Sequence, residues 1–305
     1  MKPVQNFSEM KERAKVLPSR RVAVVRADET ETLTAVMTAV NENMIEAVLI
    51  GGSDAIKHSA DEAGVDISGM DIIDVAEDKP AAEKAVELIR NGEAHVIMKG
   101  LVASSIFLKA ILDKEKGIRG PGLLSHVAVF DIPTYPKLLT VTDAGMNIKP
   151  RLDQKVQILK NAITVVNALG IDLPKSTYLC AKEIPYEKMP RTMEAAKIKK
   201  MVEDGEITGT DFDGPLAMDL AVSPEAVRIK KIKSSVAGQA DIVLLPDIES
   251  ANILYKTLLF LSNAEGAAVI MGATHPVTLT SRADSAESKL CSLVLAGIVA
   301  SYLEN

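Results

Sequence analysis

The chain has 305 residues, a length that suits two domains. Its residues are 47% hydrophobic and 25% charged, which is typical of a folded globular protein. Its 35 basic and 41 acidic residues give a net charge of −6, and aromatic residues make up 3%, which argues against a nucleic-acid-binding protein. The longest apolar run, Leu290–Leu303, is judged too short to span a membrane, and residues 1–17 lack a secretory pattern. Cys180 and Cys291 lie far apart in apolar runs, as in a reduced cytoplasmic protein.

In the first part of the chain, short apolar runs alternate with segments of helical periodicity. This alternation predicts βαβ units with parallel strands. The predicted strands are Arg21–Val25, Ala47–Ile50, Asp71–Val75 and His95–Met98, and the helices between them are Glu31–Asn43, Asp54–Ala63 and Lys79–Asn91.

The alternation breaks at the glycine-rich stretch 116–122, which two successive strands follow without a helix between them. We therefore place a change of domain near Gly122. The elements predicted after it are strands Val127–Ile132 and Lys137–Thr142, helix Arg151–Leu169, strand Thr177–Ala181, helix Pro190–Glu206, strand Ile242–Leu245, helix Glu249–Asn263, strand Ala267–Met271 and helix Asp284–Tyr302.

The common nucleotide-binding motifs are missing from the sequence. Neither a Gly-x-Gly-x-x-Gly turn nor a Gly-x-x-x-x-Gly-Lys-Ser/Thr loop occurs, and the four histidines are scattered without metal-ligand spacing. These absences argue against a Rossmann dehydrogenase, a P-loop enzyme and a histidine metal site.

Two strand-end loops have the residue types that bind anions. In the first, Lys99 and Gly100 follow a strand, Ser104 and Ser105 begin a helix, and Lys109 comes one turn later. Free amides and the helix dipole favour negative charge at such a helix start. The alternative is a serine N-cap with an exposed lysine.

The second loop is Thr280–Ser285, where Arg282 offers a planar fork for a phosphate or carboxylate. The alternative is a helix start capped by Asp284 or Ser285. Two further segments are less specific: Asp211–Pro215 is predicted to be a rigid turn before a helix, and Asn252 and Lys256 are expected on one helix face.

These loops, in this order, resemble the phosphate acetyl/butyryl-transferase family, and most closely its phosphate butyryltransferase branch. The motifs that carry the resemblance are Met98-Lys99-Gly100, Leu124-Ser125-His126-Val127, Thr142–Asn147, Asp213–Ala217, Pro246–Glu249, Asn252 with Tyr255-Lys256, and Thr280–Ser285. Each motif is weak by itself, whereas the ordered set is specific.

The resemblance implies transfer of a short acyl group, butyryl above all, between coenzyme A and inorganic phosphate, without a metal or bound redox cofactor. It also implies two α/β/α lobes with a cleft between them, as in the isocitrate and isopropylmalate dehydrogenases. We expect residues 1–122 plus 277–305 to form the first lobe, with both termini, and residues 123–276 the second. We further expect a cytoplasmic homo-oligomer that binds neither nucleic acid nor membrane.

By the same resemblance, Ser281 and Arg282 are expected to bind phosphate and stabilise the transition-state charge. Lys99, Ser104, Ser105 and Lys109 are expected to hold phosphate or coenzyme A, and Lys256 is a further candidate. Family members commonly have Arg at the position of Lys109, and acetyl-transferring relatives have Asp at the position of Ser288. Asp284 or Glu287 is therefore the candidate base for the coenzyme thiol; the alternative is that nearby cations help the thiol to ionise.

Three other functions remain open at this stage. The first is phosphate acetyl transfer, against which Ser288 speaks. The second is a metal- and NAD-dependent hydroxy-acid dehydrogenase on the same fold, which would require clustered carboxylates or histidines. The third is a catalytically silent ligand-binding protein, which the changes at Lys109 and Ser288 would permit.

Overall fold

The computed structural model describes residues 2–279 and 284–304, which form two compact units. We call Met1–Asn6 with Leu123–Gly266 the central unit, and Phe7–Gly122 with Ala267–Asn305 the terminal unit. Strands alternate with helices in both units, so the α/β class predicted from the sequence is confirmed.

The helices and strands have the following bounds. The helices are α1 (Phe7–Val16), α2 (Thr30–Asn41), α3 (Ser53–Ala63), α4 (Asp78–Arg90), α5 (Ser104–Ile111), α6 (Leu152–Ala168), α7 (Pro190–Glu203), α8 (Met218–Val222), α9 (Pro224–Lys230), α10 (Ile248–Leu261) and α11 (Ala286–Leu303). The strands are β1 (Arg21–Val25), β2 (Glu46–Gly51), β3 (Asp71–Asp74), β4 (Val96–Lys99), β5 (Ser125–Asp131), β6 (Leu139–Thr142), β7 (Lys175–Leu179), β8 (Asp211–Leu216), β9 (Ile242–Leu244), β10 (Glu265–Met271) and β11 (Val277–Thr278).

The compact units and the predicted lobes share the boundary after Gly122 but differ at two segments. Residues 267–276 belong to the terminal unit, where Ile270 of β10 pairs with Val277 of β11. Residues 1–6 belong to the central unit, where Val4 N donates to Leu169 O at 2.9 Å. The lobes 1–122 plus 277–305 and 123–276 themselves stay a prediction.

The strands of the terminal unit follow the order β3-β2-β1-β4-β11-β10. All neighbours are parallel except β10 and β11, which are antiparallel. Val22–Val25 of β1 are fully buried, as expected for a parallel strand covered on both faces by helices. The uninterrupted apolar run predicted as a strand at 21–25 reflects this double burial.

Helix α11 is the one helix in the described residues that is long and apolar enough to cross a membrane, and 72% of it is buried in the structure. The 18 residues of α11 therefore correct our judgement that this apolar run is too short. Burial of this kind is ordinary for the core helix of a folded protein, so α11 is weak evidence for a membrane span.

The strands of the central unit follow the order β5-β6-β9-β7-β8. The two strands predicted without an intervening helix, β5 and β6, pair antiparallel, and the other neighbours are parallel. The turn predicted at Asp211–Pro215 is wrong, because these residues belong to β8, which pairs with β7 and buries Phe212 and Leu216. A parallel neighbour outweighs the turn preference of Gly-Pro at this place.

Candidate active site

The strands β1 and β4 lie side by side, and the loop after β4 packs tightly against the end of β1. A Cβ atom at Gly100 would lie 2.1 Å from the carbonyl oxygen of Arg26, so glycine is required there. Gly100 N donates to Val25 O at 2.8 Å. This contact fixes the position of Lys99, the last residue of β4.

Lys99 is buried, with 6% of its surface exposed, and its Nζ donates to Gly100 O at 3.1 Å. Its ammonium group lies close enough to Glu29 to help lower the pKa of that carboxyl. The structure thus places a predicted substrate-binding lysine at the carboxyl end of its strand, where ligands bind in open α/β sheets.

The sequence analysis missed Lys289, whose side chain is 1% exposed on α11. Its Nζ donates to Glu29 Oε2 at 2.7 Å, and Thr32 also donates to this carboxylate. Burial alone raises the pKa of Glu29, but the hydrogen bonds of Lys289 and Thr32 and the charges of Lys289 and Lys99 lower it more, so its pKa is below the ordinary value. One ionised carboxylate therefore faces two buried ammonium groups.

Arg26, at the end of β1, is occupied by acidic side chains. Its Nε and Nη2 donate to Asp28 at 2.9 and 2.8 Å, and its Nη1 donates to Asp78. Because two carboxylates surround this guanidinium, it is not available to an anionic ligand. Lys99 is therefore a better candidate than Arg26 for contact with a ligand at this edge of the terminal unit.

Helix α5 begins directly after this loop. Its N-cap is Ala103, which makes no side-chain hydrogen bond, and Ser104 and Ser105 are the first two helical residues, both exposed. The alternative of a serine N-cap is therefore wrong, because alanine occupies the cap. Since the N-cap side chain does not satisfy the first amides of α5, these amides can donate to an anion that the helix dipole also attracts.

Strand β11 ends at the same edge of the sheet as β4. Thr278 pairs with Met98 of β4, so the chain leaves the sheet beside Lys99 and Gly100. The Oγ1 atom of Thr278 is buried and has no hydrogen-bond partner among the described residues. A buried hydroxyl of this kind is uncommon, and one explanation is a functional role.

Of the three predicted catalytic residues, Ser281 and Arg282 lie outside the described residues. Asp284 is half-buried and precedes Ser285, the N-cap of α11. The hydroxyl of Ser285 accepts from Ser288 N at 3.2 Å, so Ser285 rather than Asp284 is the cap that the sequence left open. Asp284 is therefore not used as the cap of α11.

The remaining two predicted residues lie elsewhere. Lys109 is exposed on α5, one turn beyond Ser105, and lines a groove between α4 and α5. Lys256 is exposed on α10 in the central unit, where its Nζ lies 5.1 Å from the ring centroid of Tyr255 and 5.8 Å from that of Phe260. The structure therefore groups Lys99, Ser104 and Ser105, with Lys109 further along the same helix.

In the central unit, two of the motifs that carry the family resemblance, those with Asp143 and Asn252, make hydrogen bonds to the loop after β6. Asp143 is 3% exposed, and its carboxylate accepts from the backbone amides of His126, Gly145, Met146 and Asn147. Asn252 of α10 donates to Ala144 O at 3.1 Å in the same loop. Asp143 and Asn252 thus shape the loop after β6.

A buried ionic cluster in the central unit also escaped the sequence analysis. Lys155, fully buried, donates to Glu194 Oε2 at 2.7 Å, and the same carboxylate accepts from Tyr178 and Arg191. Burial lowers the pKa of Lys155 and raises the pKa of nearby Cys180 to about 12. Cys180 is therefore a protonated thiol at neutral pH and a poor nucleophile.

The fold and this site define an α/β protein with a buried lysine and an uncapped helix start at the carboxyl end of β4. The family model described as phosphate acetyl/butaryl transferase matches residues 77–297. The chain therefore belongs to this family, as the motifs indicated. It is an enzyme, a phosphate acyltransferase.

Individual relatives support the same assignment. The chain is 42% identical over 296 residues to phosphate butyryltransferase of Clostridium beijerinckii, covering 97% of this chain and 98% of the relative. It is 41% identical over 281 residues to phosphate acetyltransferase of Thermotoga maritima, covering 92% and 95%. Both relatives therefore match over nearly their whole length.

Solved structures agree with the fold. A branched-chain phosphotransacylase from Enterococcus faecalis V583 superposes with a TM-score of 0.81 at 31% identity, covering 92% of this chain and 99% of that one. A 4-hydroxythreonine-4-phosphate dehydrogenase from Klebsiella pneumoniae gives 0.60 at 11% identity, covering 93% and 100%. The second likeness concerns the fold alone, and it confirms the predicted dehydrogenase-like architecture.

Proposed function

We propose that the enzyme transfers a butyryl group reversibly between coenzyme A and inorganic phosphate, forming butyryl phosphate and free coenzyme A. The observation that carries this proposal is the buried Lys99 beside the uncapped start of α5 in a chain of this family. A positive side chain and free helix amides at one strand end are suited to hold phosphate.

The reaction requires a positioned phosphate and a stabilised oxyanion. A phosphate oxygen attacks the thioester carbonyl carbon, the carbonyl oxygen gains negative charge, and the carbon–sulfur bond then breaks to release the coenzyme A thiolate. We assign Ser281 and Arg282 to the phosphate and the developing charge, because a guanidinium and a hydroxyl donate to such oxygens. Lys99, Ser104 and Ser105 would hold phosphate from the α5 side.

The proton of the coenzyme thiol needs an acid–base group. We assign this role to Asp284, which directly precedes Ser285, the N-cap of α11. In the direction of acyl phosphate formation, protonated Asp284 would give its proton to the departing thiolate. In the reverse direction its carboxylate would remove the thiol proton before sulfur attacks the acyl phosphate.

The proposed reaction uses coenzyme A thioester and phosphate as substrates and needs no metal or bound redox cofactor. Lysine, arginine and amide donors supply the positive charge that a metal ion would otherwise provide. We also propose that Lys109 and Lys256 contact the coenzyme or the phosphate. Their exposure on α5 and α10 supports access to a ligand.

Two further properties belong to the proposal: the enzyme is cytoplasmic, and it forms a homo-oligomer. Helix α10 supports the second property, because Ile253, Phe260 and Leu261 on it are 67%, 71% and 81% exposed. Large apolar side chains at this exposure favour association. Light scattering coupled to size-exclusion chromatography measures the mass directly, and a monomer at micromolar concentration would contradict the proposal.

The function is tested by thiol release from acetyl-, propionyl-, butyryl- and valeryl-CoA with phosphate and without added metal. We expect phosphate-dependent release, with a kcat/KM for butyryl-CoA about ten-fold above that for acetyl-CoA, because two further methylene groups are buried. The near-equal identities to butyryl- and acetyltransferases make this comparison decisive for the acyl group. A clear preference for acetyl-CoA would identify an acetyltransferase instead.

A further inference from the structure

The buried length of α11 contains one charged side chain, Lys289, and the reaction steps described above give it no role. Lys289 is 1% exposed, and its neighbours Leu290 and Cys291 are buried as well. An ammonium group in such surroundings is stable only when a counterion and hydrogen bonds compensate its loss of water. The groups around Lys289 therefore indicate what its charge does.

The counterion of Lys289 is Glu29, the N-cap residue of α2. Lys289 Nζ donates to Glu29 Oε2 at 2.7 Å and lies 3.5 Å from the hydroxyl oxygen of Thr32. A carboxylate at an N-cap usually accepts hydrogen bonds from the first helix amides, but the side chain of Glu29 accepts none from them. It accepts from Lys289 and from the Thr32 hydroxyl instead. The Glu29 carboxylate therefore serves α11 rather than the start of its own helix.

The same carboxylate belongs to the loop after β1, which lies beside Lys99. Val25 at the end of β1 pairs with Lys99 at the end of β4 in parallel register. Burial raises the pKa of Glu29, but the hydrogen bond from Lys289 and the charges of Lys289 and Lys99 contribute to a larger lowering. Glu29 is therefore an ionised carboxylate that interacts with two buried ammonium groups.

We call Lys99, Lys289 and Glu29 the charge cluster. Two ammonium groups and one carboxylate leave it with one positive charge. Without Lys289, Glu29 would act on Lys99 alone and the cluster would be neutral. Without Glu29, the two ammonium groups would give two positive charges. Arg26, the other cation of the loop after β1, is held by two carboxylates and stays the same in both cases.

We propose that Lys289 and Glu29 are positioning residues that set the positive charge at the carboxyl end of β4. The inference rests on the proposed function, in which Lys99 holds inorganic phosphate. A phosphate anion is bound more tightly as the positive charge of its surroundings increases. Lys289 offsets the charge of Glu29, so the cluster as a whole stays attractive to an anion.

Three variants change the charge of the cluster in defined steps. Lys289→Met makes it neutral, Glu29→Gln gives it two positive charges, and the double variant Glu29→Gln/Lys289→Met keeps the single positive charge of the wild type. Relative to the wild type, we expect the KM for phosphate to be about 10-fold higher in Lys289→Met and several-fold lower in Glu29→Gln. In the double variant it should lie within about two-fold of the wild type.

A merely structural role for the pair predicts a different order. Each single variant would then raise the KM for phosphate or lower kcat, and the double variant would be at least as impaired as Lys289→Met. That result overturns the inference. The matched control is Lys200→Met, which breaks the exposed pair with Asp204 and should leave the KM for phosphate within two-fold.

Kinetics are measured at 25 °C on proteins whose circular dichroism shows them folded. If Lys289→Met does not fold, Glu29→Gln decides the question, because its glutamine keeps the length of the side chain and an oxygen that can accept from Lys289. A KM for phosphate below that of the wild type supports the inference, and an equal or higher one overturns it. The KM for phosphate is determined at saturating butyryl-CoA.

A binding measurement decides the inference even without turnover. The rise of Tm with added inorganic phosphate gives the phosphate Kd of each protein, and these values should follow the same order as the KM. Equal rises in all four proteins, or no rise in any, overturn the inference. If the Kd values follow the charge but no acyl-CoA is turned over, the proposed function fails and the charge role stands. Phosphate-dependent thiol release with a KM that ignores the charge has the opposite meaning.

Discussion

The Glu29–Lys289 pair joins α11 to the loop after β1, and replacing Lys289 by Met removes its charge while keeping an unbranched side chain. Lys289 is 1% exposed and Glu29 15%, with 2.7 Å between Nζ and Oε2. Removal of one partner of a buried pair costs about 3–5 kcal/mol. Because Glu29 keeps some contact with water, we expect about 3 kcal/mol, or a loss of roughly 6–12 °C in Tm.

Urea unfolding at pH 7 measures this loss. The matched control is Lys200→Met, which breaks an exposed pair with Asp204 and should cost less than about 1 kcal/mol. If Lys289→Met costs no more than Lys200→Met, the pair does not hold α11 in place, and our description of the site is wrong.

The pH dependence gives a second readout for the same pair. The pKa of Glu29 is lower in the folded protein than its ordinary value of 4.5. The pair's stabilisation is therefore fully present above the unfolded-state pKa and is lost as the pH falls through the folded-state pKa. The stability difference between wild type and Lys289→Met should accordingly shrink in this acidic range, and a constant difference would contradict the lowered pKa.

Three further predictions concern the reaction and the thiols. Arg282→Ala should lower kcat by about 10²–10³ with an unchanged circular dichroism spectrum, and unchanged turnover would remove Arg282 from the site. Lys109→Ala should raise the KM for coenzyme A or phosphate, and Lys109→Arg should keep or improve the binding of that substrate, by about 1 kcal/mol. Unchanged steady-state kinetics in both variants would place Lys109 outside the site. The pKa of half-buried Cys180 is raised to about 12, so Cys180 should react with iodoacetamide at pH 8 about 10³-fold more slowly in the native than in the urea-unfolded protein. Peptide mass spectrometry measures both rates, and comparable rates would contradict the raised pKa.

Much of the fold could be predicted because the parallel strands are buried on both faces. An uninterrupted apolar run such as Val22–Val25 between turn signals is typical of a strand in the middle of such a sheet. Strand β8 was missed for the opposite reason, since its Asp211, Asp213, Gly214 and Pro215 all favour turns. Its pairing with β7 is a contact between distant parts of the chain that local preferences do not contain.

The candidate site was predictable where its residues are consecutive and was missed where they are not. Lys99 ends strand β4, and Ser104 and Ser105 begin the helix directly after it, so the order of the sequence brings them together. Glu29 and Lys289 lie 260 positions apart, and the one local signal is a lysine inside an apolar helix. The N-cap of α5 differs by a single residue from the predicted serine, which is enough to leave the helix start uncapped.

The central claim, acyl transfer to phosphate, is tested most directly by the stoichiometry of the products. The enzyme is incubated with butyryl-CoA and phosphate, thiol release is followed continuously, and butyryl phosphate is trapped with hydroxylamine as the hydroxamate. The account predicts one hydroxamate for each thiol released and no release without phosphate. Thiol release without hydroxamate would show thioester hydrolysis, and no phosphate-dependent release from any acyl-CoA would contradict the account altogether.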